Sequence, residues 1–137
     1  MYTRGKWQVG KAIVVLVGAV LLAGCALVAN ASPMKVDQQA DGSTIALARG
    51  RKLIVALESN PTTGYRWEML PAEGACLEQV GEADFRSESN RVGSGGIERL
   101  TFQAVRAGEM DLQLVYRRGW EAGVAPIKTF TVHVSVK

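Results

Sequence analysis

The sequence has 137 residues, of which 47% are hydrophobic and 21% charged, and its formal net charge is +3. Arg4, Lys6 and Lys11 account for the excess, because the rest of the chain holds 13 basic and 13 acidic residues. No cluster of basic residues with interleaved aromatics is present, which argues against nucleic acid as a partner.

The N-terminal segment has the pattern of an export signal. Its three basic residues precede an apolar run from Ala12 to Ala23. This run is too short for a membrane-spanning helix, which needs about 20 residues, but it suits the apolar region of a signal peptide. The run ends in Leu22-Ala23-Gly24-Cys25, which resembles a bacterial lipobox. The resemblance implies that residues 1–24 are a lipoprotein signal peptide and that Cys25 is lipidated, with palmitate among its acyl chains.

Residues 25–35 are then expected to be the lipidated cysteine and a tether. The expected location is the bacterial cell envelope, with a membrane as partner through the lipid on Cys25. In a Gram-negative host this is the outer membrane, facing the periplasm or the cell surface. A plain signal peptide cleaved near Ala31 and a retained helical anchor are the alternatives.

Cysteine usage indicates a domain without disulfide bonds. If Cys25 carries lipid, Cys76 is the only other cysteine and has no partner. Ala75 and Leu77 beside it are apolar and offer no charge that would activate the thiol. Cys76 is therefore predicted to be a buried structural residue.

Short strands with alternating apolar residues occupy the rest of the chain. Phe130, Val132, Val134 and Val136 alternate with polar residues and give the clearest case. Together with turn signals, about seven such runs predict an all-β fold, an antiparallel β-sandwich in one domain over residues 36–137. Six of the runs are clear: Thr44 to Leu47, Leu53 to Leu57, Tyr65 to Leu70, Leu100 to Ala104, Met110 to Tyr116 and Phe130 to Val136. Arg86 to Gly96 is expected to be a loop.

One loop of this fold has a constrained sequence. It is Asn60-Pro61-Thr62-Thr63-Gly64-Tyr65, between two predicted strands. Proline fixes φ, the two threonines are stiff at χ1, and glycine permits a positive φ. The two hydroxyls and the amide side chain are expected to face outward. An ordinary strand connection is the alternative interpretation.

Catalytic chemistry has no support in the sequence. The single histidine, His133, is predicted on the solvent face of the last strand without a partner, which leaves neither a zinc cluster nor a catalytic triad. Gly93-Ser94-Gly95-Gly96 lacks the lysine and helix of a phosphate-binding loop. The protein is therefore predicted not to be an enzyme and to need no cofactor or metal.

Three loop motifs, in order, resemble those of the chagasin-like inhibitors of papain-family cysteine peptidases. Residues 60–65 match the Asn-Pro-Thr-Thr-Gly-Tyr/Phe loop, residues 93–96 match the Gly-x-Gly-Gly loop, and Arg118-Gly119-Trp120 stands where the family has Arg-Pro-Trp. The departure is Gly119 in place of proline, which predicts a more flexible third loop.

The resemblance implies an immunoglobulin-like sandwich whose three loops form a wedge that enters the peptidase cleft. It implies a monomeric, reversible, tight-binding inhibitor whose partners are papain-family cysteine peptidases. Thr62 and Thr63 would hydrogen-bond near the active site, and Trp120 would be an aromatic anchor. The alternatives are an envelope lipoprotein that uses the same loops to bind a non-peptidase partner, and an enzyme with an unrecognised site. Trp120 folded back over the sandwich edge is the alternative for that residue.

Overall fold

The computed structural model describes residues 31–137, so the predicted signal peptide and Cys25 lie outside the described residues. Within residues 31–137, no helix is long and apolar enough to cross a membrane. The described part of the chain forms nine strands and two short 3-10 turns, Gln38–Ala40 and Pro61–Thr63. The strands are β1 Met34–Asp37, β2 Thr44–Leu47, β3 Lys52–Ser59, β4 Arg66–Met69, β5 Leu77–Gln79, β6 Asp84–Ser87, β7 Gly96–Ala104, β8 Gly108–Arg117 and β9 Lys128–Val136.

The strands form two sheets with a shared core. In the first sheet β3 lies between β1 and β7, while β5 and β6 both pair with the other edge of β7. The second sheet has the order β2-β9-β8-β4. The predicted all-β, immunoglobulin-like sandwich is confirmed, with nine strands rather than about seven and with two parallel pairings, β1 with β3 and β2 with β9.

Alternating apolar residues create the core, because every second side chain of a strand points to the same face. In β9 the predicted set of Phe130, Val132, Val134 and Val136 is buried. The facing strand β7 buries Leu100, Phe102 and Ala104 in the same way. Burial of a side chain of this size stabilises the fold by about 1.5–3 kcal/mol, so the long strands supply most of the stability. Cys76 is a free thiol buried in this core, as predicted.

Three short strands were not predicted. β1, β5 and β6 have three or four residues each and lie at sheet edges, so their burial patterns alternate weakly. They form because the edges of β3 and β7 offer free backbone hydrogen-bonding groups. The loop expected from Arg86 to Gly96 is therefore shorter, since β6 extends to Ser87 and β7 begins at Gly96. β1 likewise begins at Met34, within the range expected as a tether.

Candidate functional site

Three loops meet at one end of the sandwich because the strands that carry them are paired there. Ser59 at the end of β3 and Ser87 at the end of β6 both pair with Gly96. On the second sheet, Arg117 at the end of β8 pairs with Arg66 at the start of β4. These pairings bring together residues 60–65, 88–95 and 118–127, named here the loop edge. The three motifs found in the sequence thus lie side by side.

The first loop is a single tight turn stabilised by its own side chains. Pro61–Thr63 is a 3-10 turn that Gly64 ends in the left-handed conformation, with φ of 83°. The backbone N–H of Thr63 donates to the carbonyl oxygen of Asn60 at 3.0 Å, and the N–H of Gly64 donates to that of Pro61 at 2.9 Å. A left-handed residue is costly unless it is glycine, so Gly64 is required for this shape.

Asn60 is the centre of the hydrogen bonding in this loop. The hydroxyl of Thr62 donates to its Oδ1 at 2.6 Å, and the hydroxyl of Thr63 donates to its carbonyl oxygen at 2.6 Å. Its Nδ2 donates to the carbonyl oxygen of Gly93 in the second loop at 3.1 Å. Thr62 and Thr63 are exposed, as expected. However, their hydroxyls and the Asn60 amide are not free, because their protons are used to hold the loop in shape. The hydroxyl oxygens keep lone pairs with which they can accept.

A buried tyrosine supports the first loop from below. Tyr116, near the end of β8, is 5% exposed, and its hydroxyl accepts from the N–H of Asn60 at 2.8 Å. Its ring packs against Tyr65 and Trp67, with centroids 5.5 Å and 5.1 Å away. The sequence placed Tyr116 in a strand but indicated nothing of this contact. The one feature of the sequence that could have indicated a role for Tyr116 in the site is its position just before the Arg-Gly-Trp motif.

The third loop also holds the first. Arg118 donates from Nε to the carbonyl oxygen of Thr63 at 3.0 Å, and its guanidinium lies 4.5 Å from the centre of the Tyr65 ring. Glu121 accepts from Arg118 at 3.1 Å and keeps the guanidinium in place. A cation over an aromatic face adds about 0.5–2 kcal/mol. Arg118 is therefore engaged within the loop edge.

Trp120 covers the first loop and still faces solvent. Its indole packs against the Cα of Gly64, so closely that a side-chain carbon there would overlap Cη2 and lie 3.0 Å from Cζ2. Nevertheless the residue is 70% exposed. Trp120 can therefore both fold back over the sandwich edge and serve as an anchor for a partner. One edge of its ring packs on Gly64, while much of the ring remains available.

The glycine-rich motif divides between a loop and a strand. Gly93 has a positive φ of 81°, and Ser94 hydrogen-bonds with the hydroxyl of Ser87 at 2.6 Å. Gly95 packs beside the carbonyl oxygen of Ser59. Gly96 is buried in β7, where any side chain would overlap the backbone of Arg86. Its role is therefore the close pairing of β6 and β7, and it also lines the cleft beside the first loop.

The loop edge forms a ridge between two clefts. A cleft of about 700 Å³ lies on the side of Asn60, Thr63 and Tyr65, and Lys128 forms part of its wall. A cleft of about 860 Å³ lies on the side of Pro61, Gly64 and Trp120. A projecting turn with a groove on either side has the shape needed to enter the cleft of another protein.

Exposed apolar side chains are concentrated in the two flanking loops. Val92 in the second loop is fully exposed, and Val124 and Ile127 in the third are 54% and 56% exposed. Of these, only Ile127 contributes to the larger clefts, beside the first loop. Sequence analysis did not single them out, because isolated apolar residues in a loop have no periodic pattern. Such side chains are typical of protein-binding surfaces.

A buried carboxylate connects the two sheets beneath the loop edge. Glu98 of β7 is fully buried, and its Oε2 accepts from the backbone N–H of Trp67 at 3.4 Å. Arg66 approaches Oε1 to 3.7 Å. The indole N–H of Trp67 donates to the carbonyl oxygen of Glu58 at 2.9 Å, back across to β3. These contacts fix the relative position of the strands that carry the first loop.

His133 does not lie at the loop edge, and it has a partner. It pairs across the strands with Asp111, whose Oδ1 lies 2.8 Å from Nδ1. Glu109 approaches Nε2 to 3.9 Å. The expectation that His133 lacks a partner was wrong, because two-residue alternation on β8 places both carboxylates on its face. Among residues 31–137, no three or more His, Cys, Asp or Glu side chains form a group that could hold a metal ion.

Comparison with known proteins identifies relatives with this domain. Residues 46–134 match the family described as "Chagasin family peptidase inhibitor I42". The chain is similar to amoebiasin-1 of Entamoeba histolytica, with 34% identity over 104 residues that cover 76% of this chain and 100% of that protein. It is similar to chagasin of Trypanosoma cruzi, with 32% identity over 73% of this chain and 94% of that protein.

Among solved structures, a cysteine protease inhibitor of Entamoeba histolytica has the same fold. It superposes with a TM-score of 0.63 and covers 76% of this chain and 94% of its own, at 21% sequence identity.

Proposed function

Since this chain belongs to the chagasin family of peptidase inhibitors, we propose that it is a reversible, tight-binding inhibitor of papain-like cysteine peptidases. Members of this family are inhibitors and not enzymes. The loop edge would enter the active-site cleft as a wedge, with the first loop at its centre. No step of this function requires a cofactor.

One observation carries the proposal, namely that both flanking loops hold the first loop in place. Asn60 reaches Gly93 of the second loop, and Arg118 of the third reaches the carbonyl oxygen of Thr63. Because these contacts exist before any partner binds, the loop loses little conformational entropy on association. A turn held in this way fills a cleft without offering an extended peptide bond for cleavage.

The proposed contact residues are the exposed parts of the three motifs and their apolar neighbours. Trp120 would bury its exposed face, as aromatic hot-spot residues do. Val92 and Ile127 would add apolar contact on either side of the first loop. The remaining proposed contact residues are Asn60, Pro61, Thr62, Thr63, Gly64, Tyr65, Gly93, Ser94, Gly95, Arg118 and Gly119.

Titration of a papain-like peptidase with residues 26–137 tests this function. We expect stoichiometric, reversible inhibition, with the inhibitor recovered at unchanged mass. Trp120→Ala should weaken binding by about 2 kcal/mol. Val80→Ala, which shortens an exposed apolar side chain outside the loop edge, is the matched control. No inhibition, or equal affinity for Trp120→Ala and wild type, would favour a non-peptidase partner or a different surface.

We also propose that the protein is a lipoprotein, anchored to the envelope through acyl chains on Cys25. The lipobox pattern supports this, and acyl chains contribute about 0.8 kcal/mol per buried CH₂. Cys25→Ala should then leave the precursor unprocessed at that site and abolish labelling with radioactive palmitate. A variant that matures to the wild-type mass and stays with membranes would contradict the anchor.

A further inference from the structure

The described N-terminus lies at the end of the sandwich opposite to the loop edge. β1 runs parallel to β3, so Met34 pairs with Leu53 near the start of β3, whereas the loop edge begins after Ser59 at its end. Arg51 donates from Nε to the carbonyl oxygen of Ser32 at 3.2 Å. The chain that precedes Ser32, with Cys25, therefore joins the domain at this opposite end.

Several basic residues are grouped at the same end. Four of them, Arg49, Arg51, Lys52 and Arg106, are named here the basic pole, and Lys137 lies beside Arg49, whose backbone N–H donates to the carbonyl oxygen of Lys137 at 2.9 Å. Backbone hydrogen bonds place them together, since the N–H of Gly50 donates to Ala104 at 2.7 Å and that of Ala104 donates to Arg51 at 3.0 Å. Arg49, Lys52 and Arg106 are exposed and Arg51 is half-buried. None of the four makes an ion pair with the described part of the chain, whereas Arg66, Arg86, Arg99, Arg117 and Arg118 do.

Few acidic residues oppose this charge. Glu73 lies in the β4–β5 loop, and Glu109 at the start of β8 already faces His133. Glu78 of β5 lies at the level of Lys52, since both pair with Gln103 of β7 from opposite sides. Other acidic residues, for example Glu58, Glu88 and Glu121, lie further along the strands or near the loop edge. Because residues 25–137 have balanced charges, the domain is neutral as a whole but positive at the pole.

We propose that the basic pole binds the anionic phospholipid surface of a membrane, so that the loop edge points away from the bilayer into the aqueous phase. Guanidinium groups bind phosphate oxygens in a bidentate manner. Each basic residue near an anionic membrane also contributes separately to the free energy of membrane binding. Seven residue steps separate Cys25 from Ser32, a reach of at most about 25 Å. A lipid on Cys25 would therefore keep the pole close to the surface, where electrostatic attraction extends about one Debye length, ~8–10 Å.

This orientation goes beyond the proposed inhibition and does not depend on it. It would leave the loop edge open to a peptidase that arrives from solution, because the sandwich would stand between the bilayer and the loops. It also separates two roles along the chain, with membrane contact at one end and partner binding at the other.

The test uses residues 31–137, which lack Cys25 and so measure the pole alone. A domain of this extent is complete in amoebiasin-1, whose entire length matches 104 residues of this chain. Co-sedimentation is measured with vesicles of phosphatidylcholine alone and of phosphatidylcholine with 30% phosphatidylglycerol, at low salt and again at high salt. We expect binding to the anionic vesicles only, with loss at high salt.

Matched charge-reversal variants decide whether the basic pole is responsible for binding to the anionic vesicles. Arg49→Glu with Lys52→Glu should lower the partition coefficient at least about tenfold, since each basic residue contributes about fivefold. Arg91→Glu with Lys128→Glu changes the net charge equally, in the second loop and at the adjacent start of β9, and should lower the partition coefficient by less than about threefold. Neither side chain of the first pair donates a hydrogen bond within residues 31–137, so folding should be unaffected, as circular dichroism would verify.

The proposal would be overturned if both pairs of substitutions reduced vesicle binding equally. It would also be overturned if the wild-type domain bound equally to both kinds of vesicle. Retention on heparin without vesicle binding would show a soluble polyanion as the partner and overturn it too. Peptidase inhibition, measured without vesicles, should be unchanged by the Arg49 and Lys52 reversals, so a failure of the proposed inhibition is seen separately.

Discussion

At the residue scale, the shape of the loop edge depends on two side chains, Asn60 and Tyr116, through hydrogen bonds made inside the domain. Asn60 collects hydrogen bonds from Thr62 and Thr63 and donates one to the second loop. Tyr116 accepts the backbone N–H of Asn60 from a buried position. The shape of the first loop is therefore fixed by the buried hydroxyl of Tyr116 and by hydrogen bonds inside the loop itself.

Tyr116→Phe should destabilise the domain and weaken inhibition together. The change removes the acceptor for the N–H of Asn60, and an unsatisfied, partly buried donor costs about 1–3 kcal/mol. Thermal unfolding and the inhibition constant for a papain-like peptidase measure the two effects. Tyr65→Phe is the matched control for stability, because no hydrogen bond of the Tyr65 hydroxyl is formed within residues 31–137, and it should alter the free energy of unfolding by less than about 0.5 kcal/mol. Equal behaviour of the two variants would mean that Tyr116 acts through its ring alone.

Gly64→Ala should reduce binding more than backbone strain alone can explain. Gly64 and Gly42 have similar positive φ values, 83° and 76°, but only at Gly64 would the new methyl group meet Trp120. Both variants should lose about 1–2 kcal/mol of stability. Only Gly64→Ala should also lose about 2 kcal/mol of binding free energy, by displacing Trp120. The inhibition constants of both variants, with their unfolding midpoints, decide this, and comparable loss of inhibition in Gly42→Ala would refute it.

At the element scale, the third loop contains a turn that suits the family proline. The N–H of Glu121 donates to the carbonyl oxygen of Arg118 at 3.1 Å, which makes Gly119 the second residue of a β-turn. Proline is favoured at this position because its fixed φ matches type I and II turns. Gly119 is not among the glycines with positive φ, and it needs no left-handed conformation here.

Gly119→Pro should tighten inhibition by up to about 1 kcal/mol, since the loop loses less entropy on binding. A side chain there would lie 3.1 Å from Oε1 of Glu68, whose flexible end can move aside. Calorimetric titration against a papain-like peptidase gives the change, with the gain expected in the entropy of binding. Gly123→Pro, at a glycine with positive φ of 75° in the same loop, should instead weaken or unfold the loop. If both substitutions tightened inhibition, the position of Gly119 in the β-turn could not be the reason.

At the scale of the whole molecule, the sandwich serves as a rigid base that presents one edge. Long paired strands β3, β7, β8 and β9 contain most of the core and end at or near the loop edge. Rigid strands under short loops keep the relative position of the three motifs fixed. Binding then depends on shape, and no group at the loop edge is needed to react with the partner.

Selectivity follows from a shape-dependent mode of binding. Serine peptidases and metallopeptidases should retain full activity at inhibitor concentrations that titrate a papain-like enzyme. The reason is that the clefts of these peptidases differ in shape from the cleft of a papain-like enzyme. Parallel residual-activity assays with a papain-like, a trypsin-like and a zinc peptidase check this. Comparable inhibition of the trypsin-like enzyme would indicate a general protein-binding surface.

The fold class and the three motifs could be predicted from the sequence, because both depend on local patterns. Alternation in β9 defines which side chains are buried, and Pro61 and Gly64 restrict the backbone within a few residues of themselves. Which side-chain groups are free and which form hydrogen bonds could not be predicted, because this depends on contacts in the folded domain. The hydroxyls of Thr62 and Thr63 turn inward to Asn60, Gly96 is buried against β6, and His133 meets Asp111 across two strands. Contacts such as that of Tyr116 with Asn60 join residues far apart in the chain, and strand pairing, which no local pattern specifies, brings them together.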